Sequence, residues 1–148
     1  MTQDITGFGF SVTIIASNTF PNGLVFTQAS DDADGVDFPT VTIGDATMGI
    51  NGDLLTWSKA VPLPMTINAI PGSLDDDALQ TLANANRVSQ GRQGARDIIT
   101  AVVAYPNGTF ATLSGGKILT SQFGKSIAAS GRQKTKPYSF TFQDFVEA

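Results

Sequence analysis

Apolar and polar residues alternate along much of this chain, and that spacing limits it to a fold built mainly of strands. Phe8–Ile14 has an apolar residue at every second position, and Tyr138–Phe142 repeats the pattern near the C-terminus. Successive side chains of a strand point to opposite faces of the sheet, so this period puts the apolar side chains on one face. The sequence therefore predicts a mainly β protein, an antiparallel β-barrel or β-sandwich.

Short turn sequences separate the predicted strands. In Phe20–Gly23 ("FPNG"), proline presets φ and glycine accepts positive φ, so this segment is expected to turn the first hairpin. Asn51–Asp53 and Pro106–Gly108 have similar turn chemistry. Beyond the first hairpin and a strand after residue 40, the predicted strands are Leu54–Ser58, Met65–Ile70, Ile98–Tyr105, one ending at Leu113, and one around Lys117–Thr120.

One segment, at about residues 74–88, has helical spacing instead. Its apolar residues recur at intervals of three and four, which predicts one apolar stripe on a helix that flanks the sheet: Leu74, Ala78, Leu79, Leu82 and Ala85. Ser73 is a suitable N-cap, with Asp76 three positions on. Asp75–Asp77 lie where the helix N-terminus carries partial positive charge, which favours carboxylates.

Length and composition indicate one globular domain, residues 1–148. The chain is 41% hydrophobic and 15% charged, which suits a packed core better than a disordered segment. No apolar run approaches the roughly 20 residues that cross a bilayer, so no membrane insertion by this chain is expected. The N-terminus lacks the pattern of a signal peptide, and we expect a soluble protein made in the cytoplasm.

The chain contains neither cysteine nor histidine. Disulfides, thiolate metal sites and the usual nucleophile–base pairs are therefore excluded. Paired carboxylates occur, but an exposed loop or a helix start explains each pair. We expect no enzymatic activity and no cofactor.

The acidic segment Ser30–Asp37 resembles a calcium loop only in part. With Gly35 at the sixth position of an EF-hand loop, Asp32 and Asp34 occupy the third and fifth positions. Ser30 and Val41 then fall at the first and twelfth positions, where carboxylates are needed. A solvated or partner-facing acidic loop is the better interpretation.

Charge is divided unevenly along the chain. Residues 1–86 have a net charge of −9 and residues 87–148 a net charge of +5, within a total of −4. Folding could interleave the two halves and erase the asymmetry. Alternatively, the molecule has an acidic and a basic face that attract its own copies head to tail. Direct nucleic-acid binding by the basic segment before Tyr138 is disfavoured by the negative total.

Three segments resemble the tail tube proteins of contractile-tailed bacteriophages: "MGINGDLLTWS" (48–58), "PLPMTINAIPGS" (62–73) and "ASGRQKTKPYSFTFQDF" (129–145). The resemblance spans roughly residues 38–145 and extends to the inner tubes of type VI secretion systems and pyocins. It implies a self-assembling structural protein whose six-membered rings stack into the hollow inner tail tube of a virion, assembled in the bacterial cytoplasm. It also implies sheath, baseplate, tape-measure and tail-terminator proteins as partners, and double-stranded DNA passing through the lumen.

Combined with the uneven charge, the resemblance leads to a specific interface hypothesis. We expect acidic groups of one subunit to face basic groups of its neighbours. The acidic side is predicted to contain Asp31, Asp32, Asp34, Asp37, Asp75, Asp76 and Asp77. The basic side is predicted to contain Arg87, Arg92, Arg96, Arg132, Lys134 and Lys136.

Two other functions fit parts of the sequence. A baseplate hub or tail terminator could share the fold, and a terminator would stop at one ring. A monomeric β-sandwich could instead bind a sugar or peptide in an aromatic-lined cleft. Trp57 is the residue that tests the second alternative, because such clefts favour an exposed tryptophan.

Overall fold

The computed structural model of this protein describes residues 5–147, so both ends of the predicted domain 1–148 lie outside the described residues. It contains ten strands and one helix in that range. The strands are β1 Ser11–Ala16, β2 Phe20–Phe26, β3 Val36–Asp37, β4 Gly44–Met48, β5 Leu54–Ser58, β6 Leu63–Ala69, β7 Ile99–Ala104, β8 Phe110–Thr120, β9 Lys136–Phe142 and β10 Asp144–Glu147, and helix α1 is Leu74–Ala85.

Eight strands form one antiparallel sheet that curls on itself. Its order is β2-β1-β7-β8-β9-β6-β3, with β10 also paired to β8. The chain just after β2 returns to β6: the Ile70 amide donates to the Gln28 carbonyl at 3.1 Å, and Ser30 donates to Asn68 at 3.2 Å. These bonds join the two sides of the sheet into a barrel. The predicted mainly β fold with one flanking helix is confirmed.

The barrel interior is filled by the alternating residues that the sequence singled out. Val12, Ile14, Met65 and Ile67 are fully buried, and the C-terminal strand adds Tyr138, Phe140 and Phe142. Phe8 is an exception, because it precedes β1 and is 90% exposed. The alternating apolar residues predicted from Phe8 to Ile14 therefore begin before the strand does.

The first hairpin turns earlier than predicted. The turn lies at residues 17–19, and Phe20–Gly23 belongs to β2. Asp97, two residues before β7, explains the difference, because its carboxylate accepts the amides of Asn18 at 2.7 Å and Thr19 at 3.0 Å. Gly23, with φ of 85°, lies within the strand near an irregularity in the β1–β2 pairing.

The two strands predicted on either side of residue 115 are one long strand, β8. It pairs with β7 and β10 through its first half and with β9 through its second half. The strand changes partners at Gly115 and Gly116, and Gly115 has φ of 66°.

Helix α1 begins as predicted and ends three residues early. The Ser73 hydroxyl accepts the Asp76 amide at 3.1 Å, which confirms the N-cap. The helix ends at Ala85, where the Asn86 side chain bonds to Leu82 and Asp97. The buried face is Asp76, Leu79, Leu82 and Ala83, whereas Leu74 of the predicted stripe is 81% exposed. Within residues 5–147, no helix is long and apolar enough to cross a membrane.

Candidate assembly surface

A hairpin formed by β4 and β5 is a separate two-stranded sheet that shares no ladder with the barrel. We call residues 44–58 the arm. Its turn is closed by the Gly49 amide, which donates to the Asp53 carbonyl at 2.7 Å, and Gly52 has φ of 91°. The predicted turn at Asn51–Asp53 is confirmed. Every residue of both strands is exposed, so neither face of the arm is covered by its own chain.

The arm carries large apolar side chains that are exposed in the monomer. Ile50, at the tip, is fully exposed, and four others are 50–65% exposed: Met48, Leu54, Leu55 and Trp57. An isolated two-stranded hairpin is at best marginally stable in water. Contiguous exposed apolar surface marks interaction sites in soluble proteins. The arm therefore has the properties of a segment that is completed by a partner.

An apolar groove is lined in part by residues that come shortly before and after the arm in sequence. Its walls come from the segment before β4, from β6, β8 and β10, and from Tyr105 just after β7, and they include Phe38, Val41, Leu63, Phe145 and Glu147. The cavity volume is about 300 Å³. Burial raises the pKa of the Tyr105 phenol, and the nearby Glu147 carboxylate adds to the effect. Strand β10 has a ladder partner only in β8, so one of its edges is open in the described part of the chain.

The predicted acidic loop is partly neutralised within its own chain. Asp31 accepts a 2.5 Å hydrogen bond from Arg132, a residue predicted for the opposite side of the interface. Asp32 accepts hydrogen bonds from the Thr135 and Ser30 hydroxyls. The bond and charge of Arg132 lower the pKa of Asp31, and the bonds from Thr135 and Ser30 lower that of Asp32. Folding thus brings these parts of the acidic and basic halves together.

Other predicted acidic residues have different surroundings. Asp34, Asp37 and Asp77 are exposed, and none forms an ion pair within residues 5–147. Asp75 accepts the amides of Thr27 and Gln28, each at 2.9 Å, so its carboxylate covers backbone donors at the end of β2.

The prediction that Asp76 and Lys136 belong to the subunit interface is wrong. Both side chains are fully buried, and they pair with each other at 3.2 Å under helix α1. The Tyr138 hydroxyl donates to Asp76 at 2.7 Å. Burial and this hydrogen bond raise the pKa of Tyr138. A side chain that solvent cannot reach has no surface to offer a neighbouring subunit.

The remaining predicted basic residues lie at the surface after the helix and in the loop before β9. Arg87 and Arg92 both donate to Asn84, and Arg87 also lies 5.6 Å from the centre of the Phe123 ring. Arg96 is the one non-glycine residue with positive φ (55°) in the described chain. No ion pair is found there for Arg96 or Lys134. Their role in an interface stays a prediction.

Sequence reasoning missed the arm as an independent element. The signal was present: Leu54 and Leu55 are adjacent, so they point to opposite faces of a strand, and both faces of one hairpin cannot pack on the same barrel. Trp57 lies on this arm and is 50% exposed. It is the single aromatic residue in the shallow depression that residues 44–46 and 56–58 form.

The comparisons with known proteins place the chain in a family. The family described as tail fiber protein gp32 matches residues 3–146. The chain belongs to the tail fiber protein gp32 family. Membership makes it a tail-related structural protein. No curated protein sequence matches it.

Solved structures extend the likeness to contractile injection systems. A chain of the anti-feeding prophage baseplate is 13% identical, with a TM-score of 0.60, and the match covers 100% of this chain and 97% of that one. A chain of the PVC sheath/tube terminator is 12% identical, with a TM-score of 0.61 and coverage of 99% and 98%. A chain of the PVC sheath-tube complex is also 12% identical, with a TM-score of 0.58 and coverage of 98% and 91%. At such identities the shared property is the fold, and the predicted resemblance to contractile tail tube proteins is confirmed at that level.

Proposed function

We propose that this protein is a subunit of the hollow inner tail tube of a contractile phage. Six copies form a ring, and rings stack inside the sheath into a conduit for double-stranded DNA. The observation that carries the proposal is the arm, which exposes large apolar side chains that its own chain leaves uncovered. Family membership and the fold shared with sheath-tube, terminator and baseplate chains support a place in such an assembly.

The arm suits contacts between different patches of identical copies. In a stacked ring, a patch on one subunit meets a different patch on the next, which is a heterologous contact that closes or propagates. Burial of apolar side chains is the main favourable contribution in such contacts, and the affinity depends on how well the two patches fit more than on the area buried. Baseplate, sheath, tape-measure and tail-terminator proteins are the further partners that this function requires.

Charge has the smaller role of choosing the register between subunits. Surface ion pairs contribute roughly 0–1 kcal/mol each. The acidic candidates left without an ion pair in residues 5–147 are Asp32, Asp34, Asp37, Asp75 and Asp77, and the basic candidates are Arg87, Arg92, Arg96 and Lys134. Exposed opposite charges of this kind steer encounters and reject wrong alignments.

We expect the inner wall of the tube to be neutral or acidic. Phosphates bind lysines and arginines through release of counterions, so a basic wall would retain the DNA that has to pass. A structure of the assembled tube that places a ring of lysines or arginines around the bore would contradict this part of the proposal.

Assembly of the purified protein tests the proposed function, and the arm provides the decisive variant. Negative-stain electron microscopy and sedimentation velocity of the unmodified chain should reveal rings or hollow rods. Ile50→Asp, at the arm tip, should abolish or strongly reduce them, because a buried unpaired carboxylate opposes apolar contact. Leu74→Asp is the matched control, since Leu74 is also highly exposed (81%) but lies on helix α1. An unmodified chain that sediments as a single copy even when concentrated would refute the proposal.

A baseplate hub or tail terminator is the second candidate. Chains of the anti-feeding prophage baseplate and of the PVC sheath/tube terminator share the fold, which favours this alternative over a monomeric binding module. Microscopy separates the two functions: a tube protein propagates into rods, whereas a terminator stops at a single ring.

A further inference from the structure

We propose that the Asn51–Gly52 pair at the arm tip is a site of spontaneous deamidation in the unassembled protein. Asparagine is one of the thermolabile side chains of proteins. A glycine that follows it has no side chain to obstruct attack by its backbone amide. The sequence contains three such pairs: Asn22–Gly23, Asn51–Gly52 and Asn107–Gly108. The surroundings of the three pairs differ, and those of Asn51 favour the reaction most.

The reaction requires only water. The backbone nitrogen of Gly52 attacks the side-chain carbonyl carbon of Asn51, and the bond from that carbon to the side-chain nitrogen breaks. Ammonia leaves with the proton of the Gly52 amide, and a cyclic succinimide remains. Water then opens the ring at either carbonyl and gives aspartate or isoaspartate. A neutral amide has thereby become a carboxylate, so the arm tip gains negative charge.

Two of the three pairs lie in turns with the same backbone hydrogen bonds, so they can be compared directly. The Gly52 amide donates to the Gly49 carbonyl at 2.9 Å. The Gly108 amide likewise donates to the Tyr105 carbonyl at 3.1 Å. The two glycines have φ of 91° and 90°, and the asparagine before each of them is exposed. Neither backbone conformation nor access to water therefore distinguishes these two pairs.

The side chains of the two asparagines have different partners. The Asn107 side-chain oxygen accepts the Thr109 amide at 3.1 Å and the Thr109 hydroxyl at 2.7 Å. The equivalent position in the arm is Asp53, whose ionised side chain has no donor to offer. Within residues 5–147, no hydrogen bond is found for the Asn51 side chain. Asn107 has to break two bonds before its side chain can turn toward the next amide, and Asn51 does not.

The arm also opens more easily than the strands around the other two pairs. The Gly52 amide has to leave its hydrogen bond before it can react, which requires local opening of the turn. In the described chain β4 and β5 pair only with each other, and an isolated hairpin is marginally stable. The strands β7 and β8 beside Asn107 also pair with β1, β9 and β10. Asn22 lies within β2, which the barrel sheet holds through β1.

Deamidation at the tip has a consequence for assembly, and this consequence rests on the proposed function. Asn51 directly follows Ile50, the fully exposed apolar residue of the turn. A carboxylate at this position opposes burial of the tip, because an ionised group is costly to remove from water. Copies that have deamidated should therefore be depleted from rings and rods relative to the unassembled protein.

Incubation of the unmodified chain at mildly alkaline pH, followed by tandem mass spectrometry of its proteolytic fragments, tests the site directly. Asn51 should deamidate severalfold faster than Asn22 and Asn107. Asp53→Thr gives the arm the residue that holds Asn107, so it should slow the reaction at Asn51 severalfold. In concentrated urea the three sites should react at comparable rates, because they share the same dipeptide and the fold no longer separates them.

The outcomes are distinct for the site, its cause and its consequence. Deamidation at Asn107 or Asn22 that is as fast as at Asn51 in the folded protein would overturn the proposal, as would the same ranking in urea. An unchanged rate in Asp53→Thr would contradict the role of the side-chain bonds. Equal fractions of deamidated copies in rods and in the unassembled protein would overturn the effect on assembly. If the unmodified chain never assembles, the proposed function fails, and the rates at the three sites still decide the proposal.

Discussion

Lys136 and Asp76 form a charged pair in the barrel interior, where most neighbours are apolar. Lys136 donates to Gln80 at 2.7 Å, and Asp76 accepts from Tyr138 and from the Gly72 amide at 3.0 Å. Replacing both members of a buried pair is often nearly neutral, but removing one leaves an uncompensated charge. The pair therefore joins the start of helix α1 to β9, and its contribution to the stability of the fold depends on both partners.

We expect Lys136→Met to destabilise the protein by about 3–5 kcal/mol, because Asp76 is then buried without its cation. Adding Asp76→Asn should restore part of this loss, since an amide keeps the shape and carries no charge. Urea unfolding of the two variants measures both effects. A double variant that is no more stable than Lys136→Met alone would contradict the ion-pair explanation.

Asp97 is a second buried carboxylate, and its partners are all neutral. Burial raises its pKa, but hydrogen bonds from Thr19, Asn86 and Asn18 outweigh this and lower the pKa below its usual value. A group whose folded-state pKa is lowered stabilises the fold above its unfolded pKa of about 3.9. That stabilisation is lost as the pH falls through the folded pKa.

Asp97→Asn should therefore cost about 1–3 kcal/mol at neutral pH, because an amide cannot accept all of these bonds. The difference from the unmodified chain should shrink as the pH falls below about 4. Urea midpoints measured from pH 7 to pH 3 check this. A difference that stays constant over that range would contradict the proposed linkage.

At the scale of elements, β8 depends on Gly116 to pass from one set of partners to the other. A Cβ at this position would overlap the ring of Phe142 and lie 2.9 Å from the Ile99 carbonyl oxygen. The strand can run past β9 and β7 at this point only because residue 116 has no side chain.

Gly116→Ala should destabilise the barrel by about 1–3 kcal/mol, as overpacking does in a filled core. Gly7→Ala is the control, because a Cβ there would meet nothing within 4 Å and its φ is not positive. Thermal or urea unfolding of the two variants gives the comparison. Equal stability of both variants would show that the barrel accommodates a methyl group at residue 116 without loss of stability, which would contradict the prediction.

For the molecule as a whole, the uneven charge along the sequence only partly survives folding. Three ion pairs form within the described chain, and two of them join an acidic residue of the first half to a basic residue of the second: Asp31 with Arg132 and Asp76 with Lys136. Arg92 and Arg96 form none of these pairs and stay at the surface, where a neighbouring copy can reach them.

Reversing the charge at Arg92 and Arg96 together, to glutamate, should weaken polymerisation, most clearly at low salt, where surface charges are least screened. Sedimentation velocity and negative-stain microscopy measure the loss. Lys125→Glu is a control, because Lys125 is exposed and lies outside both the arm and the predicted basic side. Tubes of normal length from the double variant would refute the interface role of these two arginines.

Local chemistry explains what the sequence alone could predict. Three kinds of feature depend on residues within a few positions of one another. They are the inward-facing apolar residues of β1, β6 and β9, the Ser73 cap, and the turns at Asn51–Asp53 and Pro106–Gly108. Alternation, cap chemistry and positive φ at glycine are properties of short segments, so they can be read without knowing what packs against them.

Only the tertiary structure decided the features that depend on distant residues. Asp97 sets the first turn from 78 positions away, and Tyr138 reaches Asp76 from 62 positions away. The arm shares no ladder with the barrel, and both of its apolar sides are exposed in the folded chain. Whether a carboxylate is buried and hydrogen-bonded or remains a surface charge depends on which donors the fold brings to it. Those donors are set by packing across the whole chain.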